Sequence, residues 1–232
     1  MTDRLGGVSE APFDTLNLAG HVGDQQSAVE TNRERLAEAL GLERSRLLFM
    51  NQCHGETVHV VEGPWPGETP MGDGIVTAAT DLALAVLVAD CVPLLLSDQS
   101  AGVVGAVHAG RAGLTAGIVG RALDAMRELG ARQVDALVGP SVCGRCYEVP
   151  DALRARVAGT SPVAATVSWT GSPALDIASA VVDQLAARGA RVTWVPGCTR
   201  ESPALFSYRA QPSTGRFAGA IVRYAGAAPQ GR

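Results

Sequence analysis

Six short β-rich runs crowd into one stretch of this sequence, residues 47–50, 57–61, 75–77, 82–88, 93–97 and 103–107, divided only by Gly, Asp and Pro. Strands at this density, with few helices between them, predict a large mixed sheet and an α+β layered fold rather than strict β/α alternation. Further strands are predicted at 136–138, 192–195 and 221–224. Val29, Leu36, Ala37 and Leu40 recur near helical spacing ahead of Gly41, which predicts a helix over 27–40 that carries Arg33. A second helix is predicted over 114–129, with Ile118, Ala122, Ala125 and Leu129 on one face. A third spans 175–188, with Asp176 near its start, where a carboxylate suits free N–H groups. There is no internal repeat, and one Pro/Gly cluster, 63–70, is long enough to be a mobile loop. One layered domain over 1–232 is the expectation.

Composition then removes whole chemistries. All 19 basic residues are arginine, so nothing here can use a lysine amine: no pyridoxal aldimine, no Schiff-base aldolase, no P-loop lysine. Any anion must be held by arginine, backbone N–H groups or a metal. A net charge of −4 and a pI near 5.6 argue against a nucleic-acid partner. The longest apolar run, 82–89, falls far short of the roughly 18 residues of a membrane span. The first seven residues lack the apolar core of a signal peptide, so the expected location is the cytoplasm.

Histidines and cysteines carry the remaining chemistry. The four histidines are His21, His54, His59 and His108; the five cysteines, Cys53, Cys91, Cys143, Cys146 and Cys198, form an odd set unsuited to a disulfide framework. Three contexts put a possible metal ligand at a strand boundary: Gln52-Cys53-His54-Gly55, Asp90-Cys91-Val92-Pro93 and His108-Ala109-Gly110. Two imidazoles and one thiolate would leave a fourth tetrahedral position open. The separations, 37 residues from His54 to Cys91 and 17 from Cys91 to His108, match no compact zinc-finger spacing. A cysteine after an apolar strand is more often inert packing. Cys143-x-x-Cys146 follows the 136–138 run as a redox motif would; as a metal knot it would need help from Cys53 or Cys198.

At these motifs the chain resembles the YfiH-type family, also called the multicopper polyphenol oxidase or laccase-domain family and the purine nucleoside phosphorylase YfiH family. The resemblance runs over nearly the whole chain. It rests on Gly6-Gly7-Val8-Ser9, Leu16-Asn17-Leu18, Asn32-Arg33, Gln52-Cys53-His54-Gly55, Asp73-Gly74, Ala89-Asp90-Cys91-Val92-Pro93 and His108-Ala109-Gly110. It continues in Gly139-Pro140-Ser141, Tyr147-Glu148-Val149, Phe206-Ser207-Tyr208-Arg209 and Thr214-Gly215-Arg216. The resemblance implies an α/β/β/α-like layered domain with mixed sheets and a zinc on His54, Cys91 and His108. It also implies phosphorolysis of adenosine, inosine, guanosine and methylthioadenosine, and deamination of adenosine. Deamination needs a carboxylate to move protons; Asp90, Asp73 and Glu148 are candidates, with Cys91 as the central reactive position. Phosphorolysis needs anion-binding groups, for which Arg33, Arg209, Arg216 and Arg111 are candidates, with Gln52 beside them. The partners so implied are a purine nucleoside and phosphate, with no nucleic acid and no membrane, and a monomer or weak homodimer.

Two other readings compete. Cys91 could be the nucleophile of a metal-free Cys–His hydrolase, of the kind suited to cell-wall precursor editing, activated by His108 or His54. Copper-dependent phenol oxidation is the less favoured one, because four histidines cannot furnish separate mononuclear and trinuclear copper sites. The chain also departs from the family pattern. The family usually reads Trp-Arg-Gly where this chain has Arg111-Ala112-Gly113, and a second arginine where it has Ala210. A shift of one residue turns a side chain by about 100° on a helix, so Arg111 need not replace what Ala112 lost.

Overall fold

The structure, a computed structural model, describes residues 1–226; positions 227–232 of the expected domain lie outside the described residues. In chain order the helices are α1 (Gln26–Ala39), α2 (Arg111–Ala116), α3 (Ile118–Glu128), α4 (Asp151–Ala158) and α5 (Ile177–Ala187). The strands are β1 (Leu47–Leu48), β2 (Val58–Val60), β3 (Gly74–Thr77), β4 (Leu82–Val88), β5 (Val92–Asp98) and β6 (Val103–Ala109). They continue with β7 (Asp135–Val138), β8 (Ala165–Val167), β9 (Pro173–Leu175), β10 (Arg191–Trp194) and β11 (Phe217–Arg223). Two mixed sheets carry the fold, one ordered β1-β4-β11 and one ordered β10-β7-β5-β6-β3-β2, while β8 and β9 pair by themselves.

Strand periodicity explains the layering. Along β4, Leu82, Leu84 and Val86 point into a core shared with Ile75, Leu95, Val104 and Ala106 of the six-stranded sheet. The intervening Ala83, Ala85 and Leu87 face Leu36 and Ala37 of α1. On β5 and β6, Leu94, Leu96, Val103 and Val107 turn the other way, against Ile118, Ala122 and Met126 of α3 and Ile177, Val181 and Leu185 of α5. The order is helix, sheet, sheet, helices, an α+β fold of four layers. Burying each Leu or Val side chain contributes about 1.5–3 kcal/mol, so an unbroken apolar strand such as β4 is stable only between two covering layers.

The expected helix over 114–129 is two helices. Gly117 stands between them at φ +101°, a left-handed conformation that closes α2 and that a side chain would strain. The helix expected from 175 starts at Ile177, because Leu175 pairs with Ala165 in a small hairpin and the Asp176 carboxylate accepts from Ser179 N at 2.9 Å. The hairpin β8–β9 and α4 were not predicted; α4 buries only Val157 and so lacks a periodic apolar face. β11 begins four positions before the expected strand at 221, since Phe217 and Ala218 pair with Val88 and Leu87 despite the interrupting Gly219. The segment 63–70 contains no helix or strand, and Trp65 fastens it by donating from Nε1 to Phe49 O at 2.8 Å. Among the described residues no helix is long and apolar enough to cross a membrane.

One buried carboxylate ties the β5–β6 turn to the chain ahead of β7. Asp98 accepts from the N–H groups of Ala101, Arg132 and Gln133 at 3.0, 2.6 and 2.8 Å. These bonds, the one from Ala101 first, hold its pKa down to about 2. A depressed carboxylate stabilises the fold above its ordinary pKa and loses that contribution as pH falls toward 2. Asp98→Asn is therefore expected to unfold at lower denaturant than wild type at pH 7, with the gap closing near pH 2. Urea titrations at the two pH values check this.

Candidate functional site

Sheet register assembles the three expected ligands. β5 runs antiparallel to β6 with Val92 opposite Ala109 and Pro93 opposite His108, which sets Cys91, just before β5, beside the end of β6. β6 also pairs with β3, Val107 opposite Gly74, so Asp73 comes to lie alongside His108; His108 N donates to Asp73 O at 2.7 Å. The His54 loop is then tied to the same carboxylate. Asp73 accepts from His54 N at 2.9 Å, Gly55 N at 2.7 Å, Cys53 N and Cys53 Sγ at 3.2 Å each, and His108 Nδ1 at 2.8 Å.

The metal-ligating atoms of His54, Cys91 and His108 all lie within 4.8 Å of one another. Cys91 Sγ is 3.7 Å from His54 Nε2, and the two imidazoles meet edge to face with centroids 4.7 Å apart. With metal–nitrogen and metal–sulfur bonds of about 2.0–2.3 Å, tetrahedral ligands stand about 3.3–3.8 Å apart, so this donor set fits a zinc-sized ion. Because Nδ1 of His108 is taken by Asp73, its Nε2 is the atom free to ligate, the carboxylate–histidine arrangement common behind metal sites. Gly110 makes the convergence possible: a Cβ there would stand 2.7 Å from the His54 ring and 3.2 Å from Cys91 Sγ. His54 itself adopts φ +61° and Asp90, the residue before Cys91, φ +97°, uncommon values for residues with side chains.

Electrostatics follow the geometry. Burial pushes the Cys91 thiol up, but the adjacent His108 charge and hydrogen bonds from both imidazoles outweigh it and bring it to about 6. Burial pulls His108 down, yet Cys91 and Asp73 more than compensate and raise it to about 9. Asp73 is held well below the ordinary carboxylate range: burial pushes it up, and His108, the Gly55 N–H and Cys53 overcome that. Cys91, His108 and Asp73 are thus aligned as thiolate, imidazolium and carboxylate.

A cavity of about 430 Å³ opens in front of the trio, within the range usual for small-molecule sites. His54, Cys91 and His108 line it, together with Arg111, Arg209 and Arg216. Among the described residues none of these three arginines makes a salt bridge. Arg209 lies over the Tyr147 ring at 5.0 Å. Burial lowers the pKa of Arg216, which makes its guanidinium a partly desolvated cation. Ala112, where the expected family pattern reads arginine, also lines the cavity, as does Arg111 one position before it.

The other expected site residues fall in different places. Gln52 borders the cavity, but its amide is spent on Leu87, donating to O at 2.8 Å and accepting from N at 2.7 Å. Asp90 lines it too, with Oδ1 accepting from Thr199 and Ser207 hydroxyls and Oδ2 from Arg209 N, each at 2.6 Å. Its carboxylate therefore shapes the loop that carries Arg209. Asp73 stands behind His108, fully buried, outside the cavity lining. Arg33 is also outside it, donating from Nε to Leu18 O at 2.9 Å and stacking 4.5 Å from the Phe49 ring centroid. Glu148, the third candidate carboxylate, is occupied by the Ser168 and Thr170 hydroxyls at 2.7 Å each. His21, Tyr147 and Tyr208 line the cavity without having been assigned a role from the sequence; Tyr147 and Tyr208 lay within the family-like blocks, and no spacing signal marks His21.

Fold and site together define a class, four-layer α+β proteins whose two imidazoles and one thiolate meet at the ends of central strands beside an arginine-lined cavity. The chain belongs to the family described as multi-copper polyphenol oxidoreductase laccase, whose model matches residues 1–224. It is 53% identical over 225 residues to a Streptomyces griseus protein named purine nucleoside phosphorylase ORF3, covering 95% of this chain and 92% of that one. A Deinococcus radiodurans purine nucleoside phosphorylase is 40% identical over 93% of this chain and 85% of its own. Among solved structures, YlmD from Geobacillus stearothermophilus superposes with a TM-score of 0.86 at 33% identity, covering 96% of this chain and 90% of that one. Bacillus licheniformis YfiH gives 0.87 at 27%, over 95% and 90%.

Proposed function

We propose that this chain is a zinc-dependent purine nucleoside phosphorylase for adenosine, inosine, guanosine and methylthioadenosine that also deaminates adenosine. The observation that carries the reading is the sharing of one cavity by the His54–Cys91–His108 set and three arginines without an acidic partner. The relatives named purine nucleoside phosphorylases support it. Residues 1–232 are proposed as one domain, and the unpaired thiols suit a reducing cytoplasm.

In phosphorolysis a phosphate oxygen bonds to ribose C1′ as the C1′–N9 bond breaks, and the departing base takes a proton; the products are free base and ribose 1-phosphate, or 5-methylthioribose 1-phosphate from methylthioadenosine. Arg111, Arg209 and Arg216 hold the phosphate, and arginine suits this by being permanently charged and bidentate. Tyr147 and Tyr208 offer ring surfaces to the nucleoside. Asp73 keeps His108 in one tautomer and orientation. Zinc on His54, Cys91 and His108 would supply Lewis acidity. Incubating zinc-replete protein with adenosine, with and without phosphate, and separating adenine, inosine and hypoxanthine tests the reading; absence of all three products ends it.

Removing one guanidinium gives a finer test. A charge-assisted hydrogen bond is worth about 1.5–3 kcal/mol, so Arg111→Ala is expected to raise the KM for phosphate by at least about 10-fold. Adenosine deamination, which uses no phosphate, should change little. Equal loss of both activities would mean that Arg111 shapes the cavity rather than binding phosphate.

The Cys91–His108–Asp73 alignment also favours a second reading, a metal-free thiol hydrolase, in which Cys91 Sγ would attack a carbonyl carbon, the leaving group would depart with a proton from His108, and water would hydrolyse the thioester. Copper-dependent phenol oxidation has less support: His59 is engaged with Met71 O at 2.8 Å, and only His54 and His108 converge with a cysteine.

A further inference from the structure

Three cysteines outside the cavity lining meet a carboxylate where two loops pair. Ser141 and Cys198 form a parallel β-bridge, with Thr199 N donating to Ser141 O at 3.1 Å. From that bridge each loop makes the same turn. Cys146 N donates to Cys143 O at 2.9 Å, and Glu201 N donates to Cys198 O at 3.2 Å. The turn sequences correspond position by position, Cys143-Gly144-Arg145-Cys146 against Cys198-Thr199-Arg200-Glu201. Each offers two donor side chains three residues apart, followed through by an arginine just before the second.

The result is a four-membered set, Cys143, Cys146, Cys198 and Glu201, whose ligating atoms all lie within 4.8 Å of one another. Cys143 N donates to Cys198 Sγ at 3.4 Å, the backbone-to-sulfur bond that steadies a thiolate. Glu201 Oε1 is oriented by Trp169 Nε1 at 3.3 Å and by Cys146 Sγ at 3.1 Å. Arg145 stacks 4.1 Å from the Trp169 ring centroid, and Arg200 reaches Cys146 O at 3.4 Å, so two cations flank the cluster. Paired turns giving three sulfurs and one oxygen make a closed tetrahedral set for a borderline-soft divalent ion.

We propose that Cys143, Cys146, Cys198 and Glu201 bind a second zinc-class metal ion, separate from the His54–Cys91–His108 set and structural in role. All four positions of the tetrahedron are filled by protein, which leaves none for substrate. The ion pins the cavity wall. Val142 N donates to Asp90 O at 3.0 Å and Thr199 Oγ1 to Asp90 Oδ1 at 2.6 Å, so both clamped loops grip the residue preceding Cys91.

Elemental analysis of the purified full chain, grown with zinc and kept reduced, tests this. Two independent sites predict about two zinc ions per wild-type chain, and about one in either Cys146→Ser or His108→Ala. Cobalt(II) reconstitution of the wild type gives a readout that needs no variant. Thiolate-to-cobalt absorption should be stronger per ion at the three-sulfur site than at the one-sulfur cavity site, because each thiolate adds to it. Glu201→Gln serves if Cys146→Ser fails to fold, and should release its ion at lower chelator concentration. The proposal is overturned if Cys146→Ser binds as many ions as wild type, or if thiol trapping at lysis finds a disulfide among the three cysteines. Because the count at each site is read separately from turnover, failure of the nucleoside reading leaves this result standing.

Discussion

Replacing Asp73 with alanine is expected to cost about 3–5 kcal/mol of folding stability, the effect of removing one partner from a buried charged pair. The side chain is fully buried and accepts five hydrogen bonds, three from the successive N–H groups of Cys53, His54 and Gly55 and one each from Cys53 Sγ and His108 Nδ1. Alanine would leave those donors without their common acceptor. It would also free the His54 loop and the His108 ring together, since one carboxylate holds both. Metal affinity at the cavity should fall by about 10–100-fold, the usual effect of losing a carboxylate behind a histidine ligand. Asp73→Asn separates the two consequences. It fills the same volume but brings an amide N–H₂ to a place where every neighbour donates, so it should fold better than the alanine variant while still losing metal. Urea midpoints and chelator competition measure the two effects. A variant with wild-type stability and weakened metal would show that the loop is held by other contacts.

The local strand pattern was largely legible in the sequence, and the site was legible only as a set of suspects. β4 matches the predicted 82–88, and β5 and β6 extend the predicted 93–97 and 103–107 by one or two residues, because unbroken or alternating apolar runs bounded by Asp and Gly have few other solutions. The helix over 114–129 was misread where a single Gly, in this case Gly117, could equally sit inside a helix or end one. Leu175 looked helical from its neighbours and is a strand residue by virtue of a partner, Ala165, ten positions away. Ligand spacing of 37 and 17 residues carries no signal by itself; the antiparallel β5–β6 pairing and the β3–β6 pairing convert it into contact. The same distance effect separates Arg33, drawn to Leu18 and Phe49, from Arg209 and Arg216, which a late segment brings to the cavity. The carboxylates' surroundings were illegible for a different reason. Asp90 and Glu148 have the right chemistry for proton transfer, and no sequence pattern reveals the hydroxyl and backbone partners that engage both oxygens of Asp90 and one of Glu148.

Cys91→Ser is the change expected to reduce turnover most, by at least about 100-fold, since losing a direct ligand should exceed the 10–100-fold effect of losing a group behind one. The substitution changes one atom at a half-buried position lining the cavity, so the fold should lose only about 1 kcal/mol. Both leading readings predict this loss, and the metal distinguishes them. If Cys91 is a ligand, the variant releases the ion held with His54 and His108, and chelation of the wild type abolishes turnover in the same way. If Cys91 is a nucleophile, chelator-treated wild type stays active, and a thiol-directed alkylating reagent inactivates it at a rate that rises through pH 6, where the thiol ionises. Substrate choice bears on the same point. A cavity lined by three arginines without acidic partners suits phosphate entering beside a nucleoside, whereas a thiol hydrolase of neutral substrates would have no use for them. Phosphate should therefore protect Cys91 from an anionic alkylating reagent in wild type and protect it less in Arg209→Ala. Protection that is equal in both proteins would place the anion elsewhere and remove the main support for phosphorolysis.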